Sequence, residues 1–442
     1  MKNYKRFSSI AAFLSFLPFW AIAQDNAPVL NTGNTAWLIM ATILVLLMTI
    51  PGLALFYGGL VKQKNVLSII MQCLICVCVI SILWVAFGYS WVFGKEFAGT
   101  FTGEFIGGFD KVFLRGITPS TLIEPSNIPE IIFVLFQCMF AVITPALIIG
   151  AFAERIKFSG FLLFTVFWSL LVYNPMAHLV WGGGWLQQMG AIDFAGGTVV
   201  HINAGISALV MALLLGKRTD YSPGHPTSPH NVPYVFMGAA FLWLGWFGFN
   251  AGSGLTADGL DANAFLLTHI ATCTSALTWM IIDWLLNKKP TTIGVCTGAV
   301  AGLVAITPAS GSVNLLGAFS IGVITALVCF YMVAVIKPKY KYDDALDAFG
   351  VHGIGGIIGS ILTGVFATKT VMGEAGSDGA LYGNWHQLGV QVFATLFTIV
   401  YSGVLTFILF KVVDRLVGIR VVPREEEEGL DIYEHGEAAY NN

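Results

Sequence analysis

The sequence predicts an all-α polytopic membrane protein: eleven transmembrane helices in two inverted five-helix repeats plus a final helix, with the N-terminus outside and the C-terminus inside. Three observations carry the prediction. Of 442 residues, 56% are hydrophobic and only 11% charged, at a mean hydropathy of +0.77, which leaves too few ionisable groups to wet a soluble protein of this size. Eleven windows are long and apolar enough to cross a bilayer. Lys and Arg alternate from one connecting loop to the next with the parity that eleven crossings require.

The elements follow in order. Residues 1–23 carry Lys2, Lys5 and Arg6, an apolar run from Ile10 to Ile22, and a final Ala21-Ile22-Ala23. This is the pattern of a cleaved signal peptide, with a short first membrane helix as the alternative. Cleavage leaves 19 basic against 25 acidic residues, a formal charge of −6. The predicted spans are 35–60, 66–93, 129–153, 159–176, 196–216, 232–250, 263–287, 291–306, 313–336, 347–367 and 387–412; the eighth, starting after Pro290, is the shortest.

Fifteen of the 22 basic residues, from Lys62 and Lys64 to Arg420 and Arg424, fall in one set of alternate loops and the tail. The opposite set holds Lys95, Lys111, Arg115 and Lys369. Basic loops stay cytoplasmic, so the mature chain starts outside and ends inside. Neither the longest outer loop, 94–128, nor the tail holds a second core. The organisation is therefore a signal peptide (1–23), a transmembrane domain (24–413) and a cytoplasmic tail (414–442), and any activity belongs to the membrane part. Nothing in the charge balance suggests a nucleic-acid partner.

The seven cysteines (Cys73, Cys76, Cys78, Cys138, Cys273, Cys296 and Cys329) all fall in apolar segments and read as buried thiols. Cys73, Cys76 and Cys78 lack a matching Cys or His pair at zinc spacing. No metal or other cofactor is expected.

Two histidines lie deep at matching places in the two halves: His201 in the fifth span and His352 in the tenth, the last helix of each half. Such groups are rare in hydrocarbon and mark routes for polar species, and imidazole exchanges protons near neutral pH. Inverted halves place that route at their interface, near the midplane. Gly196, Gly197, Ala204 and Gly205 flank one histidine, and Gly350, Gly353, Gly355, Gly356 and Gly359 the other. Small residues let helix backbones approach, so the imidazoles can meet from facing helices. His269, in the seventh span, has no counterpart in the second and reads as an ordinary buried histidine.

Asp193 precedes His201 by eight residues and Asp347 precedes His352 by five. Both read as helix caps, and Asp193 also as a charge favouring cations at the outer mouth. Phe136 and Phe140 are four apart, while Trp246, Phe249 and Ser253 follow one helical face. An aromatic stripe is usually packing, but this one ends at the outer boundary, and Trp181 lies in another outer loop. Aromatic faces attract compact cations and a serine hydroxyl accepts their hydrogen bonds. The acidic run Glu425 to Glu428 in the tail reads, by itself, as a solvated patch.

Taken together, these residues resemble the ammonium transporter (Amt) family from about Trp37 to the C-terminus. The likeness rests on long strings: Met48-Thr-Ile-Pro-Gly-Leu-Ala-Leu-Phe-Tyr-Gly-Gly-Leu60, Gly150-Ala-Phe-Ala-Glu-Arg-Ile156, Asp193-Phe-Ala-Gly-Gly-Thr-Val-Val-His201-Ile-Asn-Ala204, Gly245-Trp-Phe-Gly-Phe-Asn-Ala-Gly-Ser253 and Phe349-Gly-Val-His-Gly353. It implies a homotrimer with one pore per subunit. Trp181, Ser253 and Phe140 would bind ammonium, and Phe140, Phe249 and Phe136 would form the gate, with Gln137 close by. Asp193 would support recruitment or deprotonation, and His201 and His352 would be the twin-histidine pair of the pore. Trp181 favours the Amt branch over the Rh branch, and the signal peptide fits a bacterial inner-membrane protein.

The tail strings Gly429-Leu-Asp431 and His435-Gly-Glu437-Ala-Ala-Tyr440 resemble the family's C-terminal pattern, where bacterial relatives dock a PII-type signalling protein. The implied activity is ammonium transport, expected to be electrogenic. An electroneutral ammonia channel and an ammonium sensor are the alternatives. An intramembrane metalloenzyme is disfavoured because no third ligand accompanies the histidine pair.

Overall fold

In lipid a chain must satisfy its own backbone hydrogen bonds, which favours continuous helices. The computed structural model, which describes residues 28–224 and 228–440, has one in every predicted window; the signal segment lies outside the described residues. The helices are α1 Thr32–Leu60, α2 Gln63–Phe93, α3 Glu130–Phe152, α4 Phe158–Gln188, α5 Gly197–Leu215, α6 Val232–Gly254, α7 Gly259–Asn287, α8 Thr292–Ile306, α9 Leu315–Tyr340, α10 Phe349–Phe366 and α11 Trp385–Val417. Six start on a capping side chain: Asn31, Asn231, Asp258, Thr291, Asn314 and Asn384 each accept an amide of the following turn.

The short eighth window is a short helix. Its 15 residues reach about 22 Å, less than the ~30 Å hydrocarbon core. Residues 307–313 continue the crossing as irregular backbone wholly buried in protein, tied by Ser312 N–H to Ala309 O and Thr368 N–H to Ser312 O, both 2.8 Å. Lipid tolerates such backbone only when protein covers it. α1 is broken at Ile50, whose backbone is extended (φ −133°, ψ 112°) ahead of Pro51. The outer loop before α3 adds a two-stranded hairpin, β1 Leu122–Ile123 with β2 Ile128–Pro129, too small to change the fold class.

Apolar side chains such as Leu316, Phe319, Leu396 and Val400 are exposed on α9 and α11, where lipid covers them. Association in lipid then relies on close packing and hydrogen bonds. Trp168 Nε1 of α4 donates to Ser207 Oγ of α5 (3.0 Å) and Thr406 Oγ1 of α11 (3.1 Å), and Ser402 Oγ donates to Asn203 Oδ1 at 2.6 Å. Five cysteines are buried, as expected of thiols. Cys78 is exposed and Cys273 half-exposed, correcting that expectation: a thiol is apolar enough to face lipid.

The basic end is tied together by ions. Arg218 bridges Glu154 (2.8 Å) and Asp343 (2.9 Å), and Lys62 pairs with Asp220 at 2.5 Å. Burial works against both carboxylates; Arg218 and Lys62 nevertheless hold Glu154 below its ordinary range, as Arg155 and Arg218 hold Asp343.

α11 runs past the expected boundary at 413 to Val417, and the tail folds back as α12 Pro423–Glu428 and α13 Leu430–His435. The acidic run is not simply solvated. Glu425 and Glu426 are buried, and Glu426 accepts the Thr219 amide (2.7 Å) and pairs with Arg420 (3.0 Å). Asp431 accepts the Leu67 and Ser68 amides of α2 at 3.0 and 2.8 Å.

Candidate functional site

α5 and α10 begin alike. Each opens with a wide turn, Gly197–Ile202 and Phe349–Gly353, containing its histidine, and such turns recur at functional sites. Asp193 accepts the amides of Gly196 (2.8 Å), Gly197 (2.5 Å), Thr198 (2.8 Å) and Val199 (3.3 Å), together with the Thr198 hydroxyl. The expected cap is therefore present. On α10 the cap is Asp344, which accepts the amides of Ala348 (3.0 Å), Phe349 (2.8 Å) and Gly350 (3.4 Å). This corrects the expectation for Asp347, which has a left-handed backbone (φ 60°) and pairs with Lys337 instead. Asp344 precedes His352 by eight residues, the offset of Asp193 from His201, and that equality was a legible signal.

The two helices cross at glycines. A Cβ on Gly205 would collide with the Gly353 backbone, and one on Gly356 would lie 3.0 Å from His201 Cβ. This close approach sets the His201 and His352 rings 5.5 Å apart at 19° between planes. They are 1% and 4% exposed, and both nitrogens of His201 and Nδ1 of His352 have no hydrogen-bond partner among the described residues. Buried polar atoms normally have partners. His178 differs: its Nδ1 and Nε2 lie 2.6 and 2.9 Å from the carbonyl oxygens of Val92 and Gly103, either of which can accept its ring N–H. His269 is not buried: it is exposed on α7 beside Trp243 and Cys273.

Aromatic rings lead outward from the pair. The Phe249 ring lies 6.0 Å from His201, and Phe140 packs on Phe249 at 4.3 Å. Phe136 and Trp181 stand edge-on to Phe140 at 5.0 and 5.7 Å. Phe140 and Phe249 are fully buried, whereas Trp181 and Ser253 are half-buried, so the row passes from an accessible mouth to a dry interior. Gln137 is half-buried on the next position of α3. Trp181 Nε1–H donates to the Asp193 carbonyl (2.9 Å) and fixes the indole. Ser253 Oγ donates to the Phe249 carbonyl at 2.8 Å, so only its lone pairs remain for a ligand. The mouth offers acceptors and π faces, which suit a compact, donor-rich cation.

Two further residues shape the site. Trp246, read from the sequence only as part of the stripe, stacks on His201 at 5.3 Å and is held by its indole N–H on Thr307 Oγ1 (2.9 Å). Asp261, 3% exposed, accepts Trp37 Nε1–H (3.0 Å) and the Thr256 amide (3.3 Å), and its carboxylate fills the space beside Gly254. It braces the turn carrying Ser253. A lone Asp at a helix start carries no such signal in the sequence.

Inward, His352 lines a cavity of roughly 490 Å³ at the basic end, with Tyr57, Val351, Lys337 and Asp347 in its wall. No cluster of three or more metal-ligating side chains occurs among the described residues.

The profile of the Ammonium Transporter Family matches residues 36–440. The chain is similar to the ammonium transporter of Aquifex aeolicus, 49% identical over 433 residues and 98% of each chain. It superposes on the crystal structure of Candida albicans Mep2 with a TM-score of 0.82 and 36% identity, covering 90% of this chain and 88% of that one. It also matches a structure described as a sensor Amt protein, with a TM-score of 0.82, 32% identity, and 91% and 98% coverage.

Proposed function

The chain belongs to the ammonium transporter family, whose members are multi-pass membrane transporters and not enzymes, and on that premise we propose a stepwise route. Ammonium is taken up at Trp181 and Ser253, loses its proton near Phe140 and Phe249, and passes as neutral ammonia along His201 and His352. The observation that carries the reading is the ordered row from half-buried Trp181 through the stacked phenylalanines to two buried imidazoles with unpartnered nitrogens.

Energetics favour deprotonation. Moving a small ion into low dielectric costs on the order of 20 kcal/mol by Born reasoning. Ammonium titrates about two units above neutral, so releasing its proton near pH 7 costs roughly 3 kcal/mol. The imidazole nitrogens then offer ammonia the hydrogen bonds it loses on leaving water. Asp193, its oxygens occupied by amides, acts on the cation through its field. The proton follows through the imidazoles, making transport electrogenic; in the alternative it returns outward and the pore is an electroneutral ammonia channel.

The test is charge movement in a lipid-supported membrane during an ammonium pulse. Absence of current sinks the electrogenic version. A His201→Leu/His352→Leu double variant should lose the selective current, and unchanged current would remove the histidines from the route.

The chain works in this reading as a homotrimer in the bacterial inner membrane, entering through its cleaved signal segment. Residues 24–413 form the transport domain and 414–442 a regulatory tail. The tail's bonds to α2 and to the loop after α5 support a second role, in which occupancy is relayed to a PII-type partner at the inner face. The solved sensor Amt relative favours the same reading. Tail deletion should then preserve transport and abolish nitrogen signalling.

A further inference from the structure

Away from the pore, an entirely apolar groove of roughly 380 Å³ runs between α5 and α11, lined by Val210, Leu213, Leu214, Gly403, Val404 and Phe407. It exists because residue 403 is glycine: a Cβ there would meet only an Ile206 methyl, at 3.5 Å. The groove faces lipid, since Leu213, Val404 and Phe407 are exposed.

Its charge surroundings are one-sided. Gly403, Phe407, Lys411 and Arg415 recur at every fourth position and share one face of α11. Lys411 Nζ stands 5.8 Å from the Phe407 ring centre, directly beyond the apolar wall. Lys411 and Arg415 are exposed and form no ion pair with any described residue. The neighbouring acid, Asp414, is turned to the Ile419 amide at the helix end (3.2 Å). Lys217, just past the end of α5, is exposed on the same side of the membrane. One helical turn, about 6 Å, separates Phe407 from Lys411. A chain lying in the groove therefore brings its headgroup level with two free cations.

We propose that this groove binds one anionic phospholipid of the inner leaflet, its acyl chain along Gly403 and Phe407 and its phosphate against Lys411 and Arg415. The inner leaflet carries the anionic lipid, and each basic side chain near the surface adds attraction for it. The same two helices are joined just inside the groove by Ser402 with Asn203 and Thr406 with Ser207, at 2.6 and 2.8 Å. A lipid seated outside this seam clamps α11 to the helix that carries His201, and a ligand that binds only the folded state stabilises it.

The experiment titrates the purified full chain in detergent with phosphatidylglycerol or phosphatidylcholine, counting bound lipid by native mass spectrometry and following thermal unfolding. One saturable phosphatidylglycerol per chain and a raised Tm are expected, with weaker binding of phosphatidylcholine. Lys411→Gln and Arg415→Gln should each weaken phosphatidylglycerol binding about fivefold and leave phosphatidylcholine unchanged. Gly403→Leu, which fills the groove, should remove the saturable lipid.

Equal binding of the two lipids, or phosphatidylglycerol binding indifferent to all three substitutions, overturns the site. So does a change of oligomeric state in Gly403→Leu, because the groove would then be a contact between copies of the chain. If Gly403→Leu does not fold, the Lys411 and Arg415 substitutions, on exposed side chains, decide the matter alone.

Discussion

Asp193 and Asp344 each stand eight residues before a buried histidine, and each closes its carboxylate over the first amides of that histidine's helix. The two halves of the chain thus hold their imidazoles by the same device, applied from opposite ends of the bundle. Losing a cap costs about 1–2 kcal/mol, so Asp193→Ala and Asp344→Ala should lower thermal stability comparably. The Asn variants separate capping from charge. Asp193→Asn should weaken ammonium uptake at low concentration, because its charge lies under the outer mouth, whereas Asp344→Asn should not. Equal uptake curves would reduce Asp193 to a cap.

Ser253 gives its proton to the Phe249 carbonyl and keeps only acceptor capacity. A hydrogen bond to a charged group contributes about 1.5–3 kcal/mol, so Ser253→Ala should raise half-saturation for ammonium about tenfold or more with little change in maximal rate. Ser253→Thr, which retains the hydroxyl, should restore most of the affinity. Concentration-dependent uptake in vesicles measures both, and a fall in rate at unchanged half-saturation would count against the assignment.

Asp261 braces the turn that presents Ser253. Asp261→Ala removes the acceptor for Trp37 and Thr256 and should loosen residues 252–256 without unfolding the bundle. Hydrogen exchange should show faster exchange of these amides, and ammonium half-saturation should rise. Unchanged exchange would show that the turn holds itself.

Arg218 is the cation shared by buried Glu154 and Asp343, beside Lys62 at the first and Arg155 at the second. Removing one partner of a buried ion pair costs about 3–5 kcal/mol, so Arg218→Ala should sharply lower the unfolding midpoint. The pH dependence has a definite sign. Both native carboxyls titrate below their ordinary range, so the network stabilises the fold above that range and loses its contribution as pH falls through the lowered values. In Arg218→Ala the stranded carboxyls take up protons more readily, and the gap from the native chain should narrow with acidification. A constant deficit would mean the arginine acts by packing alone.

The helices were legible because lipid imposes a length and an apolar composition on any span, and even the short α8 could be read from Pro290 onward. The aromatic row and the histidine pair were legible because polar groups and ordered aromatic faces stand out against hydrocarbon. Asp344 escapes a local reading because proximity points to Asp347, and nothing in the neighbouring sequence reveals that Asp347 turns left-handed toward Lys337. Glu425 and Glu426 look like surface charge until the fold supplies the Thr219 amide and Arg420. Asp261 was invisible for the same reason, since its partner Trp37 lies 224 residues away.

The contact between Gly205 and Gly353 has a mechanical consequence. Where two main chains touch with no side chain between them, the helices can come no closer, and their spacing at the crossing depends on no rotamer. On the proposed route, the width beside the histidines is therefore set by backbone, and Phe140 and Phe249, whose rings pack 4.3 Å apart just outside them, are the side chains whose motion would open the way.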